Sequence, residues 1–276
     1  MKDFRNKIVV ITGAGSGIGR ALALAFADEG SHLALSDIDA GALQETLDLV
    51  APTGSELHSK VFDVSDKEAM FAFAKEVIAR FEKVDVVINN AGISMSDQPF
   101  TAIDLALFER VMAVNFNGTL YGSRAFIPFL LQRSEAALVN VSSIFGLAGI
   151  AFSTAYCASK FAVHGLNQAL YQEYRSSSLT IHSVHPGGVN TNIAHNALGA
   201  KGVADAFHTQ FLKRAPAEAA STILAGVKAK RHRILIGTEA HTLDLAVRLH
   251  PVLGGTLVNT TIRKKLEAAQ REQQSA

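Results

Sequence analysis

An apolar run, Ile8 to Thr12, breaks into the glycine-rich stretch Thr12-Gly13-Ala14-Gly15-Ser16-Gly17-Ile18-Gly19, and a strongly helical segment beginning Arg20-Ala21-Leu22 follows at once. Strand, tight loop and helix in that order leave few folds open. Glycine lets the backbone turn sharply and come close to a ligand, while a helix N-terminus offers unpaired N–H groups and the positive end of its dipole. The ligand that suits this arrangement is the pyrophosphate of a dinucleotide. A plain tight turn is the bland alternative, and the flanking strand and helix weigh against it.

The rest of the chain repeats the alternation. Apolar, β-rich runs fall at Ile8 to Thr12, Leu33 to Ser36, Leu57 to Val64, Val84 to Asn89, Ala137 to Ser142, Thr180 to His185 and Arg233 to Gly237. Several are continuously hydrophobic, the pattern of strands covered on both faces by crossover helices. Between them, helices are predicted over Gly17 to Glu29, Asp39 to Val50, Asp66 to Phe81, Asp104 to Gln132, Thr154 to Ser178 and Pro216 to Lys228. Ser65 and Glu68 have capping-box spacing and should open the third of these. The predicted fold is α/β, a doubly wound parallel sheet of seven strands with helices on both faces, a Rossmann fold.

No repeat, low-complexity tract or linker divides the 276 residues, so 1–276 reads as one domain. Residues 190–215 follow the end of a strand and lack a steady period, which suggests a substrate lid. Residues 238–276 form a C-terminal extension whose apolar residues could close the pocket, form a subunit interface or rest on a membrane surface; the first two are favoured. With 26 Lys and Arg against 25 Asp and Glu, no strong field points to nucleic acid. The single cysteine, Cys157, allows no internal disulfide and suits a reducing compartment, so the cytoplasm is the expected location. No signal peptide and no membrane span is expected. Ten histidines invite a metal, yet no HExxH occurs and no cysteine partners exist, so no metal is expected.

The glycines fall at 13, 17 and 19 rather than in a G-x-G-x-x-G array, and TGxxxGIG resembles the short-chain dehydrogenase/reductase family. Gly13, Gly15, Ser16, Gly17, Ile18 and Gly19 are then the phosphate-loop contacts. Eighteen residues past Gly19, Asp37 ends the second strand, where an acid hydrogen-bonds the adenosine ribose diol and repels a 2′-phosphate. Ser16 and Ile38 stand where NADP-preferring relatives tend to carry Arg or Lys. NAD is therefore expected over NADP, with a helix cap as the bland role for Asp37. The resemblance also implies that Asp63 and Val64 contact adenine, that Asn90 in the Asn89-Asn90-Ala91-Gly92 motif lies beside the adenosine ribose, and that Thr12 or Asn89 ties the central strands together. Pro186, Gly187, Val189 and Thr191 match the PGxxxT segment that holds the nicotinamide carboxamide.

Tyr156 and Lys160 form an i, i+4 pair on one predicted helix face. A phenol near an ammonium and a positive nicotinamide ring can titrate well below its usual value of about 10, and so serve as a base near neutral pH. By itself the pair is also what an amphipathic helix with a snorkelling lysine would show. Ser143 ends the fifth strand thirteen residues before Tyr156, the family's position for the serine that hydrogen-bonds the substrate oxygen. Ser142 should point the other way. Asn115 matches the family's helix asparagine, which implies that it anchors a water leading from Lys160 to solvent. Tyr156 and Lys160 are also cofactor contacts on this reading.

Together these residues predict an NAD-dependent alcohol dehydrogenase or ketone reductase, expected by resemblance to be a homodimer or homotetramer. Phe145, Leu147, Ile150 and Phe152, with the lid residues Ile193, Phe207 and Phe211, favour a hydrophobic substrate, although such residues also simply fill cores. His195 and His208 are further lid residues that could reach substrate. A sugar-nucleotide epimerase or dehydratase would reuse the Tyr/Lys pair, but with different glycine spacing and a larger C-terminal domain. A non-catalytic NAD sensor is disfavoured by the intact Asn115, Ser143, Tyr156 and Lys160.

Overall fold

The structure is a computed structural model that describes residues 1–195, 197–199, 214–252, 254–256 and 259–260. Phe207, His208 and Phe211, the side chain of His195 and most of the 190–215 segment lie outside the described residues.

Seven strands, β1 (Ile8–Thr12), β2 (His32–Asp37), β3 (Leu57–Val61), β4 (Val86–Asn89), β5 (Ala136–Val141), β6 (Leu179–Pro186) and β7 (Arg233–Ile236), form one parallel sheet in the order β3-β2-β1-β4-β5-β6-β7. Helices cover both faces: α1 (Gly17–Asp28), α2 (Ala40–Val50), α3 (Lys67–Phe81), α4 (Leu105–Met112), α5 (Gly118–Leu130), α6 (Thr154–Tyr174), the single turn α7 (Asn192–His195), α8 (Pro216–Lys228) and α9 (Thr238–Leu249). One core packs α1, α2 and α8 on the sheet around Phe26, Leu22 and Ile223, and the other packs α3 and α5 around Phe73, Met70 and Phe126. Strand order turns back between β1 and β4, so their C-terminal ends open a crevice, the place where open α/β sheets bind ligands.

Several boundaries differ from the sequence reading for physical reasons. β3 stops at Val61 because it is the outermost strand: it alternates in exposure, and the chain then bends at Asp63, whose carboxylate accepts from Ser65 N at 2.9 Å. That turn takes the Ser65 hydroxyl as well, 2.7 Å from Asp63 Oδ1, so Ser65 is not the cap; Asp66 caps α3 by accepting from Ala69 N at 3.0 Å. The helix predicted over Asp104 to Gln132 is interrupted by a π-helical turn, Ala113–Asn117. The wider turn carries Asn115 inward, fully buried, and such turns recur at functional sites. α6 ends at Tyr174, where Ser177 takes the Tyr174 carbonyl through both its N–H and its hydroxyl. Among the described residues, no helix is long and apolar enough to cross a membrane.

Candidate active site

The crevice is one continuous cleft of about 1460 Å³, running from Asp37 and Asp63 past the glycine loop to Ser143 and Tyr156. Its volume exceeds the usual range of about 300–1,000 Å³ for a small-ligand pocket, as an extended ligand requires. Gly13, Ser16, Gly17 and Ile18 line it, and Gly13 has φ +65, a conformation that favours glycine. Ser16 caps α1 without a side-chain hydrogen bond, so the first N–H groups of α1 keep their capacity for an anion. Gly15 and Gly19 do not line the cleft. Gly15 N donates to Asp37 Oδ2 at 2.7 Å, and a Cβ on Gly19 would lie 1.9 Å from the Gly13 carbonyl oxygen. These two glycines allow the loop to pack. Asp39, not Asp37, caps α2, through Ala42 N. A dinucleotide fits this cradle on chemistry as well as on length.

At the other walls, Asp63 pairs with Arg110 at 2.6 Å, and its carboxyl is held below the usual range by the Ser65 and Arg110 hydrogen bonds, which outweigh the opposing effect of burial. Asn90 donates to the carbonyls of Thr12 (3.1 Å) and Gly13 (3.0 Å), so its amide holds the glycine loop. Thr12 Oγ1 accepts from Asn90 N and Ala91 N, while Asn89 Nδ2 donates to Asn140 at 2.7 Å; both residues tie central strands together. Val64, Ala91, Gly92, Pro186, Gly187, Val189 and Thr191 line the cleft, and a Cβ on Gly17 would lie 3.1 Å from Thr191. The segment after β6 therefore reaches from the catalytic end to the phosphate loop.

Ser143, Tyr156 and Lys160 meet at the cleft's inner end. Lys160 Nζ lies 5.6 Å from the Tyr156 ring centre and donates to Val141 O at 3.1 Å, and Ser143 Oγ accepts from Phe145 N at 3.2 Å. Ser142 points to α6, donating to the Lys160 carbonyl at 2.8 Å. Asn115 is not on the cleft wall: its amide accepts from Ile93 N (2.8 Å) and donates to Ile93 O and Ser159 Oγ (both 2.9 Å). Asn115 and Lys160 nonetheless flank one point, since a Cβ on Gly92 would lie 3.2 Å from Asn115 Oδ1 and 3.3 Å from Lys160 Nζ.

Comparison with known proteins decides the family. The short chain dehydrogenase family model matches residues 7–201. This chain is a short-chain dehydrogenase. It is 39% identical over 259 residues to SadH of Mycobacterium tuberculosis, covering 90% of this chain and 92% of that protein. It is 35% identical over 188 residues to the cyclohexanol dehydrogenase of an Acinetobacter strain, covering 68% and 75%. The crystal structure of a short-chain dehydrogenase/reductase from Burkholderia phymatum in complex with NAD aligns with a TM-score of 0.83 and 29% identity, over 90% of this chain and 96% of that one. The chain is thus an oxidoreductase of this family, on the seven-stranded Rossmann fold.

Burial acts on both titratable groups of the short-chain dehydrogenase site. Burial pushes the Tyr156 phenol up to about 12 and the Lys160 ammonium down to about 8. The polypeptide alone does not lower the tyrosine. Desolvation is the largest influence on the phenol, and the Lys160 ammonium, 5.6 Å from the ring centre, is hydrogen-bonded to Val141 O.

Sequence reasoning missed what stands behind Ser143. Asn89 Nδ2 donates to Asn140 (2.7 Å), Asn140 Nδ2 to Asn167 (2.7 Å), Asn167 Nδ2 to Ser183 Oγ (3.1 Å), and Ser183 Oγ to His185 Nε2 (2.8 Å). His185 Nδ1 then donates to the Ser143 carbonyl at 3.1 Å. Every member is buried. The available signal was polar residues inside otherwise apolar strands, Asn140 in ALVNVS and Ser183 and His185 in IHSVHP. His182 and His185 do leave opposite sides of β6, His182 pairing with Arg231 O at 2.7 Å. Among the described residues no group of three metal-ligating side chains is gathered.

Proposed function

We propose that this protein is an NAD-dependent oxidoreductase that interconverts a secondary alcohol and a ketone, acting on a hydrophobic small molecule. The observation that carries this reading is the convergence of Ser143, Tyr156 and Lys160 at one end of a cleft whose other end presents the Asp37 carboxylate. Tyr156 accepts the hydroxyl proton of the substrate during oxidation, and Ser143 donates a hydrogen bond to the substrate oxygen as charge develops there. Lys160 holds positive charge beside the phenol and binds ribose, and Asn115 belongs to the path by which the proton leaves. Gly13, Ser16, Gly17 and Ile18 hold the pyrophosphate, Asp37 the adenosine ribose, Asp63, Val64 and Asn90 the adenine side, and Val189 and Thr191 the carboxamide. Bound NAD supplies the hydride acceptor and a positive ring that makes up for the burial of Tyr156. Phe145, Ile150 and Ile193 line the substrate end and favour an apolar ligand.

The same reading takes 1–276 as one dinucleotide-binding domain with a substrate lid, working as a homodimer or homotetramer in the cytoplasm. The test is reduction of NAD, with NADP in parallel, across a panel of secondary alcohols that includes cyclohexanol and larger alicyclic alcohols. Turnover with NAD supports the proposal. Binding of NAD without turnover in either direction on any member would replace it with an NAD sensor.

A further inference from the structure

We propose that Glu239 and Arg214 are positioning residues that hold the Gly187–Asn190 turn at the reactive end of the cofactor site. This rests on the NAD-binding reading above. The turn leaves β6 beside Ser143 and runs to Thr191 at the glycine loop, so it spans the stretch of cleft where the ring that exchanges hydride must lie near Tyr156.

Four backbone groups of this turn are tied down from outside it. Gly187 N donates to Ile236 O at the end of β7 (2.9 Å) and Gly188 N to Glu239 Oε1 (3.0 Å). Arg214 N donates to Gly188 O (3.2 Å), and Arg214 O accepts from Asn190 N (2.8 Å), so the backbone of Arg214 brackets Val189 as an added parallel bridge. The two outside residues are joined to each other: Arg214 Nη1 lies 3.0 Å from the same Glu239 Oε1, and Arg214 Nε lies 3.7 Å from Glu218. The Glu239 carboxylate occupies the space that side chains on Gly187 and Gly237 would need, their Cβ positions falling 2.1 and 2.4 Å from Oε1. One carboxylate thus joins the turns after β6 and β7 to the returning strand-like residue Arg214. Against the opposing effect of burial, hydrogen bonds from its own backbone N–H, from Gly188 N and from Arg214 hold its pKa below the usual range, so it stays charged at neutral pH.

The deciding experiment compares affinities for NAD and for ADP-ribose, which lacks the nicotinamide, by calorimetry on the full chain and on Glu239→Ala, Glu239→Gln and Arg214→Ala, alongside melting temperature. The expected result is that Glu239→Ala weakens NAD at least about tenfold, since a charge-assisted hydrogen bond contributes roughly 1.5–3 kcal/mol, while ADP-ribose affinity stays within about twofold. Glu239→Gln keeps an acceptor for Gly188 N and should recover part of the loss. Equal weakening of both ligands, or no change in either, overturns the proposal, because a purely structural pair would not discriminate between them. If Glu239→Ala does not fold, Glu239→Gln and Arg214→Ala must show the same discrimination, and its absence there overturns the proposal too. Failure of the unmodified protein to bind either ligand would instead overturn the NAD reading.

Discussion

The imidazole of His185, buried at the end of β6, donates from Nδ1 to the carbonyl oxygen of Ser143 at 3.1 Å. The other ring nitrogen lies 2.8 Å from the Ser183 hydroxyl, which donates to it when the ring is neutral. Burial pushes its pKa down to about 3, and that of His182 down to about 4. Unfolded histidines titrate near 6.5. The unfolded chain therefore binds protons first as pH falls below about 6.5, and stability that is complete above that value is lost progressively toward the folded-state values. The slope is at most about 1.4 kcal/mol per pH unit for each histidine. Thermal unfolding followed from pH 6.5 to 4.5, above the range of most carboxylates, should show a falling melting temperature, and His185→Asn should flatten the fall. A melting temperature independent of pH in this window would contradict the role given to these rings.

Asp37 spends its carboxylate on Gly15 N and Asp39 N, at 2.7 and 3.0 Å, while still facing the cleft. Asp37→Ser combined with Ile38→Arg should reduce the preference for NAD over NADP at least tenfold, since close like charges near a protein surface repel by roughly 4 kcal/mol. Comparing kcat/KM for the two cofactors checks this, and an unchanged ratio would remove Asp37 from cofactor selection.

Two glycines are required by space alone. A Cβ at Gly19 meets the Gly13 carbonyl at 1.9 Å, and one at Gly122 meets Asn89 Oδ1 at 2.0 Å. Gly19→Ala and Gly122→Ala should each cost about 1–3 kcal/mol or more in urea unfolding. Gly165, inside α6 with nothing within 4 Å of its Cβ position, gives the opposite expectation: Gly165→Ala should stabilise by roughly 0.5–1 kcal/mol.

The fold was legible because β1, β4 and β5 are buried throughout and read as mainly apolar runs, with helix-period segments between them. β3 was read too long because, at the sheet edge, its pattern is set by exposure on one side. The π-helical turn at Asn115 was invisible, since one extra residue in a turn leaves the apolar period of α4 and α5 nearly intact. The grouping of Ser143, Tyr156 and Lys160 was legible from spacing on known elements. The chain behind Ser143 was not, because Asn89, Asn140, Asn167, Ser183 and His185 come together only through the pairing of β4, β5 and β6 with α6. The raised pKa of Tyr156 is likewise a product of burial, which no local spacing of a tyrosine and a lysine reveals.

Tyr156→Phe removes one hydroxyl from a half-buried ring packed edge-on against Phe145, 5.6 Å between centres. Measured with NAD and an alcohol that the unmodified protein oxidises, turnover should fall by about 10²- to 10⁴-fold, with NAD affinity and melting temperature close to those of the unmodified protein. A folded, NAD-binding Tyr156→Phe variant that turns over at the unmodified rate would contradict the assignment of the proton transfer to Tyr156.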